Sequence, residues 1–178
     1  MLKYVVAFSS KTGNTKAIAG RIFDALPVSA EEKEIVDIGE SGFLMDAETY
    51  FIGFPVHRMT CGMDVIDSLA DLHEVSIALF ATCGAEPTES YKKEIEQNVR
   101  AWVEDDNEYL GFFLCQGRMQ DEIRERYDSL RNDENMDAIE KMIENFDEAL
   151  SHPDELDLAD ASFFAKTLAK GKDVKDGE

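Results

Sequence analysis

The chain has 178 residues, 44% hydrophobic and 31% charged, a balance that fits one globular domain and excludes a disordered polymer. Its charge is unusual: 18 Lys and Arg stand against 38 Asp and Glu, a formal net of −20. Such a surface repels the phosphates of nucleic acid and of anionic membrane, so neither is an expected partner; it suits a basic protein partner or plain solubility.

Tyr4–Phe8 reads as a strand, its apolar residues continuous rather than alternating, as expected when both faces are covered. Ala17, Ile18, Ile22, Phe23 and Leu26 recur at helical spacing, and Pro27 ends that helix. Glu34–Ile38 and Tyr50–Phe54 are the second and third strands, the latter stopped by Pro55. A short helix through Met63, Ile66, Leu69 and Ala70 leads to a fourth strand at Val75–Ala81. Thr88 caps a helix marked by Tyr91, Ile95, Val99, Trp102 and Val103, and Leu110–Cys115 is the fifth strand. Strands alternating with helices predict an α/β fold, a doubly wound five-stranded parallel sheet with right-handed crossovers.

Three helical segments follow. The first carries Ile123, Tyr127 and Leu130; the second carries Met136, Ile139, Met142, Ile143, Phe146 and Leu150. Leu156, Leu158, Ala159, Phe163, Phe164 and Leu168 form the apolar face of the last, after the break Ser151-His152-Pro153-Asp154, where Pro153 suits the first turn. A sheet of this kind needs one helix after its last strand. The expectation is therefore a single domain over 1–170 with a helical insertion about 119–150, and a charged, frayed tail over 171–178.

The longest apolar run, near Ile77–Thr82, falls far short of the ~20 residues of a membrane helix. Met1–Phe8 is apolar but too short for a signal peptide, and no cleavage site follows, so a cytoplasmic protein is expected. Cys61, Cys83 and Cys115 form no CxxC pair and are odd in number, against a disulfide framework. His57-x3-Cys61 has passable metal spacing, but no second histidine completes a site. Small thiols suit packed strand ends, and neither a metal nor a catalytic cysteine is expected. Oligomeric state leaves no pattern in this chain.

The segment Ser9-Ser10-Lys11-Thr12-Gly13-Asn14-Thr15 follows the first strand and opens the first helix. Backbone N–H groups at a helix start point outward unpaired, and the helix dipole favours an anion there. The hydroxyls of Ser9, Ser10, Thr12 and Thr15 complete a phosphate cradle; the same residues also suit a capped polar turn. A single glycine excludes the P-loop and the three-glycine Rossmann fingerprint. A response-regulator phosphoacceptor needs an aspartate at the end of the third strand, where this chain has Gly53-Phe54-Pro55.

Val6-x-Phe8-x-Ser10-x-x-Gly13-x-Thr15-x-x-x-Ala19-x-x-Ile22 resembles the FMN-binding signature of the flavodoxin family, Ala7 departing from the larger apolar residue usual there. The resemblance covers Met1 to about Gly117 and the last helix. It implies the strand order 2-1-3-4-5, with FMN beyond the carboxyl ends of the strands. Cys115-Gln116-Gly117-Arg118-Met119 and Ser151-His152-Pro153-Asp154-Glu155 are similar to a flavodoxin-like subfamily found beside larger reductases, one member type of which assists bilirubin reduction. By this resemblance Ser9, Ser10, Lys11, Thr12, Gly13, Asn14 and Thr15 hold the phosphate. Pro55, Val56, His57, Arg58 and Met59 form the first ring loop, and Thr82, Cys83 and Gly84 begin the second.

Typical members place Trp and Tyr against the ring. Here neither loop contains an aromatic residue, and Tyr91 lies just inside the next helix. His57 and Arg58 bring positive charge or donors instead, and a cation near the ring raises its potential by favouring the reduced anion; the alternative is an Arg58 turned to solvent or paired with a carboxylate. The implied function is an electron carrier, passing electrons from a reductase to a partner enzyme through a basic docking face. A stand-alone NAD(P)H-dependent FMN oxidoreductase of the quinone-reductase type is the alternative. No nicotinamide motif is visible and the charge of −20 opposes a dinucleotide phosphate, which favours the carrier. The intact hydroxyl loop argues against a module that has lost its cofactor.

Overall fold

The computed structural model describes residues 1–41 and 44–175. Its sheet is formed by β1 (Leu2–Phe8), β2 (Lys33–Asp37), β3 (Ala47–Pro55), β4 (Ser76–Cys83) and β5 (Glu108–Gln116), all parallel, in the order 2-1-3-4-5. The helices are α1 (Asn14–Ala25), α2 (Ile38–Ser41), α3 (Met63–Ala70), α4 (Glu89–Arg100), α5 (Asp121–Leu130), α6 (Met136–Ala149) and α7 (Glu155–Lys175). The doubly wound architecture and strand order agree with the sequence reading. Two small elements escaped it: the 3-10 turn Ala30–Glu32 and the four-residue α2, which takes Ile38 from the expected second strand. Neither is long enough to show a period.

The continuous apolar strands are explained by cover on both faces. Val5, Ala7, Ile52, Phe54, Ile77 and Leu79 pack with Val65 and Leu69 of α3 and with Ile95 and Val99 of α4. Tyr4, Val6, Phe8, Phe51, Ala78 and Phe80 pack with Ile18 and Ile22 of α1 and with the alanines of α7. Each large apolar side chain so buried contributes about 1.5–3 kcal/mol. Among the described residues no helix is long and apolar enough to cross a membrane.

The chain after β5 departs from expectation at several points. Ala161, Ala165 and Ala169, four residues apart and at most 1% exposed, form the packed seam of α7, while Leu156 and Phe163 are 74% and 72% exposed. Small side chains let α7 lie close to α1, and that contact sets which face turns inward. Pro153 precedes the helix. Asp154 caps it, its carboxylate accepting the N–H groups of Leu156 (2.8 Å) and Asp157 (3.0 Å), while Asp157 accepts the N–H of Asp154 at 2.9 Å. The helix passes the expected stop at Gly171 and runs to Lys175; the rest of the expected tail, 176–178, lies outside the described residues. Trp102, expected on the apolar face of α4, lies beyond its end and is half exposed.

Replacing Ala165 by Leu should overpack the α1–α7 seam and cost about 1–3 kcal/mol. A chain of this size loses about 2–4 °C of thermal midpoint per kcal/mol. Phe163→Ser should move the midpoint little, and circular-dichroism melts compare the two.

Candidate functional site

Register aligns the carboxyl ends of the strands. Phe8 pairs with Gly53, Pro55 with Thr82, and Cys83 with Gln116. The loops leaving β1, β3, β4 and β5 therefore share one edge. Backbone bonds tie them together: Ser9 N–H to Gly53 C=O (2.9 Å), Val56 N–H to Thr82 C=O (2.9 Å) and Gly117 N–H to Cys83 C=O (2.8 Å).

In the first loop Gly13 caps α1 at φ 88°, a left-handed conformation that glycine adopts without a side-chain penalty. The Ser10 hydroxyl oxygen accepts the N–H groups of Gly13 (3.2 Å) and Lys16 (3.3 Å), which curls the loop over the helix start. Its own proton remains as a donor. Lys11 and Thr12 are exposed beside it, and Ser9 is partly buried. Hydroxyls and first-turn N–H groups thus form a donor set suited to an anion. Two side chains point elsewhere. Thr15 is 1% exposed, and its hydroxyl bonds that of Thr82 at 3.0 Å, joining α1 to β4 and leaving its backbone N–H for a ligand. The Asn14 amide donates to the Arg118 carbonyl at 2.8 Å.

After β3 and Pro55, His57 N–H donates to Thr60 C=O (2.8 Å) and Thr60 N–H donates back (3.1 Å). This closes a tight turn on Arg58 and Met59, whose φ values are 49° and 65°. Such turns favour Asn and Gly, and non-glycine residues held there cost on the order of 1–3 kcal/mol each. The Asn98 amide steadies the turn by donating to Met59 C=O at 2.9 Å. His57 and Arg58 are exposed, whereas Val56 and Met59 pack against the core. Tyr91 also packs there, so it adds to the core.

After β4 the side chains of Thr82 and Cys83 are turned inward, and the Cys83 thiol donates to Ala85 C=O at 3.2 Å. The Gly84 carbonyl accepts from Asn145 Nδ2 (2.8 Å) and Gln116 Nε2 (3.2 Å), and Gln116 Nε2 also donates to Asn145 Oδ1 at 3.2 Å. Helix α6, expected to be an appendage, therefore holds the loop after β4. Met119 covers Gly84 so closely that a Cβ there would lie 2.6 Å from its sulfur. Gln116 and Met119 lie in the segment Cys115–Met119 that carries the subfamily resemblance, but no contact with Gly84 was expected of them. Asn98 and Asn145 carried no signal, because single polar residues that act across long separations leave no period and no motif.

A cleft of about 290 Å³ opens between Thr12 and the turn carrying Arg118, Met119 and Gln120. A cavity of about 580 Å³ lies at the amino-terminal edge of the sheet, lined by Tyr50, Asp64, Asp67, Asp71 and His73 among others, without the loops that converge at the carboxyl edge. His152, Asp154 and Asp157 offer ligand atoms within 4.8 Å of one another. These atoms serve the α7 cap, with His152 Nδ1 2.6 Å from Asp157 Oδ2.

Residues 5–166 match the family model described as "Flavodoxin domain". The chain is 36% identical over 172 residues to the flavodoxin-like domain-containing protein BilS of Clostridioides difficile (strain CD3), covering 94% of this chain and 96% of that one. It is 30% identical over 174 residues to a protein of the same name from Clostridium symbiosum (strain WAL-14163), covering 89% and 91%. Its fold is similar to that of oxidised Flavodoxin 2 from Bacillus cereus, with a TM-score of 0.57, 17% identity and coverage of 95% and 99%.

The three cysteines are free and buried. Burial pushes the Cys83 thiol from 9.0 up to about 12 and pushes Cys61 and Cys115 upward as well. A group whose folded pKa is raised gives stability that is fully present below its unfolded pKa and is lost as pH rises through the folded one. Stability should therefore hold to about pH 8 and fall between about pH 9 and pH 12. At pH 8 iodoacetamide should label no cysteine of the native protein and all of them in denaturant, as read by mass spectrometry.

Proposed function

The chain belongs to the flavodoxin family, and from that premise we propose that it binds one FMN non-covalently and carries electrons between a reductase and a partner enzyme. The observation that supports the cofactor is the first loop: Ser10 folds Gly13 and Lys16 onto its oxygen and keeps a proton to give. Bound FMN supplies a ring that accepts and releases electrons. The residues of the chain do the rest. Ser10, Thr12 and the first-turn N–H groups of α1 bind the phosphate. The His57–Thr60 turn and the Gly84 loop, steadied by Asn98 and Asn145, would hold the ring. His57 and Arg58, on the exposed turn, supply donors and positive charge that favour the reduced ring.

FMN should bind more tightly than riboflavin, which lacks the phosphate. Ser10→Ala with Thr12→Ala should narrow that gap, each lost bond to the dianion costing about 1.5–3 kcal/mol before non-additivity. Titration by flavin fluorescence reads both affinities, and equal binding of the two flavins by the wild-type protein overturns the phosphate assignment.

The charge of −20 supports the carrier over the stand-alone oxidoreductase, because it opposes a dinucleotide and steers a basic docking face. The likeness to a subfamily found beside larger reductases suggests such an enzyme as the partner. Anaerobic mixing of the FMN-loaded protein with NADH or NADPH alone should leave it yellow. Rapid bleaching by either nucleotide would make it a stand-alone oxidoreductase.

A further inference from the structure

Building on that reading of the first loop, we propose that Arg118 is a cationic arm that closes on the FMN phosphate from the turn after β5. The turn is fastened to the loop. The Asn14 amide donates to the Arg118 carbonyl at 2.8 Å, and Arg118 N–H donates to the His152 carbonyl at 2.8 Å. Gly117 lies so close to α1 that a Cβ on it would meet Asn14 Nδ2 at 2.7 Å. These contacts fix the Arg118 backbone beside the start of α1. The cleft of about 290 Å³ between them has Thr12 on one side and Arg118 on the other.

The guanidinium is exposed and held only by a long surface ion pair. Its ion pair is with Asp121 Oδ1 at 3.4 Å, and the two side chains are 57% and 76% exposed. A solvated pair of this kind contributes little and gives way to a dianion. The planar fork of arginine matches two phosphate oxygens at once, which lysine cannot do. A chain with a net charge of −20 also gains from placing a cation against the phosphate. Asp121 and Glu122 line the same cleft, so Asp121 competes with the phosphate for Arg118, and both carboxylates repel a dianion that the arm must offset.

The test is a fluorescence titration of the flavin-free full chain with FMN and, separately, with riboflavin. Arg118→Ala should weaken FMN about tenfold or more and leave riboflavin unchanged within roughly twofold. Arg118→Lys should recover part of the loss, and Asp121→Asn should tighten FMN. The backbone bonds of Arg118 survive each substitution, and thermal midpoints confirm that the fold does. Equal weakening of both flavins by Arg118→Ala overturns the proposal, as does a preference for FMN that the substitution leaves intact. A wild-type protein with no preference for FMN removes the phosphate site itself, and the proposal with it.

Discussion

A strand buried on both faces can carry polar chemistry only at its ends, and this constraint organises the rest of the molecule. Val5, Val6 and Ala7 are wholly inaccessible to solvent, as are Phe51, Ile52 and Phe54. Such strands need helices on both sides, hence crossovers between parallel neighbours. Parallel strands with aligned register end together, and here Phe8, Pro55, Cys83 and Gln116 bring four loops to one edge. The start of α1, with its outward N–H groups, lies at that edge for the same reason. The position of the site thus follows from the apolarity of the sheet.

The same constraint decides what could be read from sequence. The strands were legible because two-sided burial makes their residues continuously apolar. The first loop was legible because its seven residues are contiguous and their spacing is distinctive. The seam of α7 was not, because alanine carries little hydrophobic signal, and Leu156 and Phe163 mark a different face. The inward turn of Thr15 depends on meeting Thr82, 67 residues away. The left-handed residues Arg58 and Met59 were hidden because turn chemistry predicts Gly or Asn at such positions.

The proposed anion site is compatible with strong acidity because the two act over different distances. Hydrogen bonds from Ser10 and the helix start work at contact, whereas at physiological salt a carboxylate more than ~8 Å away is largely screened. The distant acids therefore bear on encounter with other molecules more than on an anion that the loop would hold. Charges at the cleft itself enter the local balance, and Arg118, Asp121 and Glu122 line it.

The bond from Asn145 to Gly84 bears on which parts of this chain can be removed. Gln116 is 4% exposed and gives one of its bonds to Asn145, so the helices between β5 and α7 complete the polar pairing at the carboxyl edge of the sheet. Excising them would take the shorter of two bonds from the Gly84 carbonyl and one of two from the Gln116 amide, which keep only the 3.2 Å bond to each other, at about 0.5–1.5 kcal/mol for each bond lost. The two helices are therefore tied to the site's edge: substitutions on their solvent face leave that pairing intact, whereas their removal takes polar contacts from the loop after β4.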